Sequence, residues 1–146
     1  MSKPVIPYET TIRVRDSCLC LQVQRSARTL ARRFDEAFRP LGLTNGQFSL
    51  LMSLNRPEPA SMGSVASLLA MDRTTLTAAL KPLERRGLLT VATDPADKRS
   101  RRMALTAEGA ALLERAVPVW ESTHAAVETG LPEGTDALCR DLRALA

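Results

Sequence analysis

The stretch DRTTLTAALKPLERRGLLTVATDPADKRSRRMALT, Asp72 to Thr106, decides the fold. Its first half spaces Leu76, Leu80 and Leu83 as one face of a helix, with Asp72 ahead of it as N-cap and Gly87 behind it in the left-handed closing position. Opposite those leucines, at about 100° per residue, lie Thr74, Ala78, Lys81 and Arg85, a surface that is small, hydroxylated and basic. Its second half has the character of a hairpin: LLTVATD is β-branched and apolar, DPADKRS has turn chemistry, and RRMAL returns as a strand. The hairpin tip gathers Lys98, Arg99, Arg101 and Arg102. Cations held that close repel by a few tenths to ~1 kcal/mol per exposed pair, so a fold gains nothing by collecting them unless a polyanion is the partner.

Upstream, Thr44-Asn45-Gly46-Gln47 reads as a capping box ahead of Phe48, Leu51, Met52 and Leu54, and Arg56-Pro57-Glu58-Pro59 stops that helix. Ser61 opens a short helix through Val65, Leu68 and Leu69, and a tight turn at Ala70-Met71 joins it to Asp72. Helix, turn, helix, two-stranded hairpin is the order of a winged helix-turn-helix, in which the second helix enters the major groove and the hairpin reaches an adjacent minor groove. Farther out, Leu19, Val23, Ala27, Leu30, Phe34, Phe38 and Leu41 recur every three or four residues, which predicts one amphipathic helix from Asp16 to Leu41. Its length of ~35 Å or more exceeds what one small core needs, so part of its stripe is expected to meet a second subunit. Pro40 and Gly42 end it. Downstream, Thr106 caps another long helix bearing Leu112, Leu113, Ala116, Trp120 and Val127, in which Pro118 is expected to produce a kink. Gly130-Leu-Pro132 breaks the chain, and Thr135 to Ala146 forms a last short helix.

Composition agrees with a nucleic-acid partner. The chain of 146 residues carries a formal charge of +4, and of its 20 basic residues only Lys3, Lys81 and Lys98 are lysines. Arginine favours planar, bidentate contact with phosphates and base edges. The charge is uneven: residues 72–102 hold eight basic against four acidic residues, and 103–146 hold three against seven, so the middle of the chain carries the positive field. No apolar run follows the first basic residue and none is long enough to span a membrane, which predicts a cytoplasmic protein. Three cysteines without CxxC or Cys/His spacing speak against a disulfide framework and a zinc site, and no cofactor is expected. An enzyme is not expected either: there is no nucleophile-base pair, phosphate loop or metal set.

LTNGQFSLL, SVASLLAMDRTTLTAALKPLERRGLL and above all DPADKRSRRMALTAEG resemble the MarR family of bacterial transcription regulators. The likeness runs over nearly the whole chain. It implies a mainly α protein with a small β-hairpin: 1–43 a dimerisation helix, 44–105 the winged lobe, and 106–146 further dimerisation helices. It also implies an obligate homodimer that binds a pseudo-palindromic double-stranded DNA operator as a repressor. By the same resemblance Arg99 is the wing arginine that enters the minor groove, Asp97 the carboxylate that holds its side chain, and Lys98 and Arg101 phosphate contacts, while Arg102 points to the other face. Arg73, Thr74, Thr75, Ala78 and Lys81 match the DNA-facing part of the recognition helix. Two departures stand out: many relatives have an arginine near Ala78, and Pro82 deletes the bond to the Ala78 carbonyl. A protein-interaction module that kept the winged scaffold without DNA binding is the alternative.

The cysteines admit two readings. Cys20 falls in the apolar stripe beside Val23 and Ala27, Cys18 on the polar face, and a buried cysteine is most often a small hydrophobe. Yet Cys20 precedes Thr44 by a spacing similar to that of the peroxide-sensing cysteine in the OhrR branch of the family, and it falls near a helix start with Arg13, Arg15 and Arg25 nearby in sequence. That branch supports its thiolate with tyrosines, and this chain has only Tyr8. Cys139 is a candidate to pair across the dimer. His124 reads as a helix-surface residue. The resemblance further implies a cleft for a small aromatic or phenolic effector, with Arg15, Phe48 and Trp120 as candidate lining.

Overall fold

The computed structural model describes residues 5–146, which fall into two compact units, one up to Arg33 and one from Phe34 to Ala146. In the first unit, helix α1 (Tyr8–Ser17) follows Pro7 and ends at Cys18, whose backbone is extended at φ −74° and ψ 109°. Helix α2 (Leu19–Phe38) starts afresh beyond it. The single helix expected from Asp16 to Leu41 is thus divided. Side chains satisfy carbonyls near the break: Ser17 Oγ donates to the Arg13 carbonyl and Gln22 Nε2 to that of Arg15. No residue of α1 is buried, and Leu19, Val23 and Leu30 of α2 stay exposed.

The second unit begins with the last turn of α2. A three-residue 3-10 turn, Arg39–Leu41, takes over at Pro40, and Gly42 at φ 66° reverses the chain. Phe38 stacks on Phe48 with centroids 4.7 Å apart, anchoring the last turn of α2 to helix α3 (Asn45–Ser53). The capping box forms as expected: Thr44 Oγ1 accepts from the Gln47 N–H, and the Gln47 side chain accepts from the Thr44 N–H. A second device, absent from the sequence reading, is Asp35 Oδ1, which accepts both the backbone N–H (2.7 Å) and the side-chain amide (3.0 Å) of Asn45. Those bonds, the backbone one first, hold the Asp35 carboxyl below its ordinary pKa.

Strand β1 (Ala60–Ser61) precedes helix α4 (Met62–Leu69), for which Ser61 is the N-cap. Ala70, left-handed at φ 51°, and Met71 lead to helix α5 (Arg73–Arg85), capped by Asp72 and followed by Gly87 at φ 72°. Strands β2 (Leu89–Thr93) and β3 (Arg101–Leu105) pair antiparallel from Leu89↔Leu105 to Thr93↔Arg101. Strand β1 was not anticipated; it pairs Ala60 with Met103 and makes a three-stranded sheet in the order β1-β3-β2. Two residues carry no period of their own, so only the tertiary pairing defines them.

Helix α6 (Ala107–Glu128) starts on the Thr106 cap and runs unbroken through Pro118. Thr106 also donates its hydroxyl to the Gly87 carbonyl at 2.6 Å and its N–H to that of Leu88. Gly109 is required by the close approach that results: a Cβ there would lie 1.9 Å from the Leu88 carbonyl oxygen. Helix α7 (Gly134–Arg143) closes the chain and buries none of its residues. The core gathers Phe38, Leu50, Leu51, Val65, Leu76, Leu83, Leu89 and Met103, and so seats α5 and the sheet on the same apolar mass.

Candidate nucleic-acid interface

Helix α5 is held by its inner face, where Leu76, Leu80 and Leu83 are buried. Its start is fixed by Asp72, whose Oδ1 accepts the Thr75 N–H at 2.7 Å and whose Oδ2 accepts the Thr75 hydroxyl at 3.0 Å; these bonds depress the Asp72 pKa. Its end is fixed by Arg86, whose guanidinium donates to the Gly42 carbonyl at 2.7 Å. Pro82 lies within the helix, which continues to Arg85. With both ends fastened, the outer face presents Arg73, Thr74, Thr77, Ala78 and Lys81 around one open concavity of about 350 Å³. Thr77 was missed by sequence reasoning, although its position one turn from Arg73 and from Lys81 was available to find it.

The hairpin is braced at its base. Asp94, only 7 % exposed, accepts from Arg102 Nε at 2.8 Å and from the Ala96 N–H at 2.9 Å. The Ala96 bond first, and then the Arg102 guanidinium, hold the Asp94 carboxyl below its usual range. Arg102 therefore points away from the tip, as strand alternation implied. Farther out, the Asp94 N–H donates to the Ser100 carbonyl and the Ser100 N–H to that of Asp97, closing the turn.

Asp97 differs from its expected part. Its Oδ1 accepts the backbone N–H of Arg99 at 3.0 Å and its Oδ2 the Ser100 hydroxyl at 2.9 Å, and no ion pair joins it to the Arg99 guanidinium among the described residues. An aspartate two residues before a turn N–H satisfies that backbone donor first, the ordinary Asx-turn arrangement. Lys98 and Arg99 are exposed and make no ion pair among the described residues. Arg101 is exposed too, with Nη1 3.4 Å from the carbonyls of Lys98 and Ser100. Uncommitted cations on a hydrogen-bonded turn can meet an external polyanion without first breaking internal bonds.

The remaining candidates are dispersed. Cys20 is exposed, with Gln24 Nε2 3.3 Å from its sulfur, and Cys18 is the half-buried one, the reverse of the expected order. Cys18 sits at the joint between the two helices and not on the α2 face. Cys139 is half-buried and all three thiols are free. Arg15, exposed in the first unit, pairs with Asp16 at 2.6 Å. In the second unit Phe48 and Trp120 line an apolar cavity of about 400 Å³ with Ser49, Met52, Ser53, Leu68 and Val117. His124 stacks on Trp120, ring centroids 4.8 Å apart. No metal-ligating cluster and no helix long and apolar enough to cross a membrane occur among the described residues.

A helix-turn-helix with a braced cationic hairpin defines a winged-helix DNA-binding protein. Residues 43–100 match the model of the MarR family. The chain is 32% identical over 101 residues to the organic hydroperoxide resistance transcriptional regulator of Bacillus subtilis, covering 69% of each. Among solved structures it resembles the Mycobacterium tuberculosis transcriptional regulator MosR in complex with DNA, at 37% identity and a TM-score of 0.81 over 88% of this chain and 93% of that one. It also resembles Bordetella bronchiseptica BpsR, whose DNA binding is regulated by 6-hydroxynicotinic acid, at 30% identity and a TM-score of 0.78 over 87% and 91%. The chain belongs to the MarR family. It is a DNA-binding transcriptional regulator and not an enzyme, and the reading as an interaction module without DNA binding gives way to that.

Proposed function

We propose that the chain acts in the cytoplasm as a homodimeric repressor that holds a pseudo-palindromic operator with two α5 helices in successive major grooves and two hairpins in the flanking minor grooves. The observation that carries this reading is the uncommitted charge of Lys98 and Arg99 on a turn braced by Asp94 and Asp97, presented with the exposed face of α5. Within this reading Arg73, Thr74, Thr75, Ala78, Lys81, Lys98, Arg99 and Arg101 serve the DNA contact, with Thr75 acting through the Asp72 cap. Half-sites would lie about one helical turn, ~34–36 Å, apart.

Dimerisation is supported by apolar surface that the single chain leaves uncovered: Leu19, Val23 and Leu30 on α2, and Leu138, Leu142 and Leu145 toward the C-terminus. On this ground residues 1–43 and 106–146 are assigned to dimerisation and 44–105 to DNA binding.

Release is assigned to a small aromatic or phenolic effector in the cavity beside Phe48 and Trp120, whose volume lies in the range of ordinary ligand sites. An effector that prefers a dimer with mis-spaced α5 helices lowers operator affinity by that preference and no more. A second route, oxidation, is supported by the exposure of Cys20 and its amide contact from Gln24. Gel shifts on the DNA flanking its own gene, at several salt concentrations, test the core of the proposal. Steeply salt-dependent, sequence-preferring binding is expected, and binding that ignores both salt and sequence would overturn it. Peroxide treatment with mass spectrometry of Cys18, Cys20 and Cys139 separates the release routes: thiols that stay reduced while DNA is released assign release to the ligand.

A further inference from the structure

Two of the three threonines of α5, Thr75 and Thr77, have committed their hydroxyl protons. Thr75 gives its proton to Asp72 Oδ2 and belongs to the cap. Thr77 gives its proton to the Arg73 carbonyl, 2.7 Å away and one turn back. A threonine tied in this way offers no donor outward; it offers a methyl group and an acceptor lone pair. Ala78, its neighbour on the same concavity, adds a second methyl, and both residues are exposed. Arg73 and Lys81, one turn to either side of Thr77, flank this apolar spot with cations.

In the major groove the C5-methyl of thymine is the one apolar mark on a base pair, and threonine and alanine methyls are its natural partners. No long amide or guanidinium occupies the centre of the concavity, where bidentate reading of adenine or guanine would need one. We infer that Thr77, together with Ala78, is a specificity-determining residue that reads a thymine C5-methyl in each half-site. This rests on the reading of α5 as the groove helix. It differs from reliance on Thr75, whose hydroxyl serves the helix start.

The test uses the full chain and duplexes with a randomised centre, selected for binding and then resynthesised with deoxyuridine in place of each thymidine. Loss of one buried methyl is expected to weaken wild-type binding about fourfold at the critical position. Thr77→Ser, which keeps the hydroxyl and loses the methyl, should shrink that penalty by about twofold or more, since only the Ala78 methyl remains, and Thr77→Val, which keeps methyls and loses the hydroxyl, should retain it in full. Equal binding to the two duplexes by the wild type, an undiminished penalty in Thr77→Ser, or salt-dependent binding without any selected sequence overturns the inference while leaving the groove reading intact. Absence of salt-dependent binding to every duplex removes the groove reading, and this inference with it.

Discussion

Arg102 reaches back from β3 to Asp94 at 2.8 Å, so the hairpin's own strand supplies the cation that neutralises the one carboxylate buried at its base. Of the four arginines and lysines around the tip, one is structural and three face outward. Because the Asp94 pKa is depressed in the folded chain, its stabilising contribution is complete above the unfolded-state value of about 3.9 and is lost as the pH falls through the lower folded-state value. Asp72 and Asp35 shift in the same direction and add to the same acid slope. Asp94→Asn should therefore flatten the acid limb of a stability-against-pH curve followed by circular dichroism. An unchanged limb would separate the Asp94 bonds from acid stability.

Arg99→Ala should weaken binding to every duplex alike and reduce the slope of log affinity against log salt by ~1, because it removes one cation without a fold contact. Binding isotherms on a selected and a scrambled duplex measure it. Arg102→Ala should behave differently, lowering thermal stability as well as affinity.

Gly109→Ala places a methyl against the Leu88 carbonyl, where the ideal separation is 1.9 Å. Backbone must move, and a loss of about 3 kcal/mol or more is expected, beyond ordinary overpacking. Thermal denaturation gives the number; a midpoint within experimental error of wild type would show that α6 can slide away from β2 without cost.

Ala70 sits at φ 51°, where a Cβ costs roughly 1 kcal/mol. Ala70→Gly relieves that but loosens the unfolded chain, so a net gain of a few tenths of a kcal/mol is expected in urea unfolding.

Leu30→Glu and Leu142→Glu put charge on two apolar faces that the single chain leaves open. Sedimentation equilibrium should show monomers, and operator affinity should collapse toward that of one lobe. Dimers that persist in both variants would move the subunit contact elsewhere.

Local chemistry was readable in the sequence. The Thr44/Gln47 capping box, the caps at Asp72 and Thr106, the left-handed Gly87 and the hairpin alternation all depend on residues a few positions apart, and all form. What escaped depends on partners chosen by the fold. Strand β1 exists only because β3 lies beside it, and Asp35 reaches Asn45 across a turn whose geometry Gly42 sets. The Asp97 carboxylate had two nearby claimants, a guanidinium and a turn N–H, and only the turn geometry decides between them. The α1–α2 break at Cys18 left no proline or glycine to announce it.

The outer face of α5 carries none of the bonds that keep the helix in place: Asp72, Arg86 and the three inner leucines do that. Residues 73, 74, 77, 78 and 81 can therefore be rewritten with little risk to folding, so a duplicated copy of this gene could drift to a new promoter within a few substitutions.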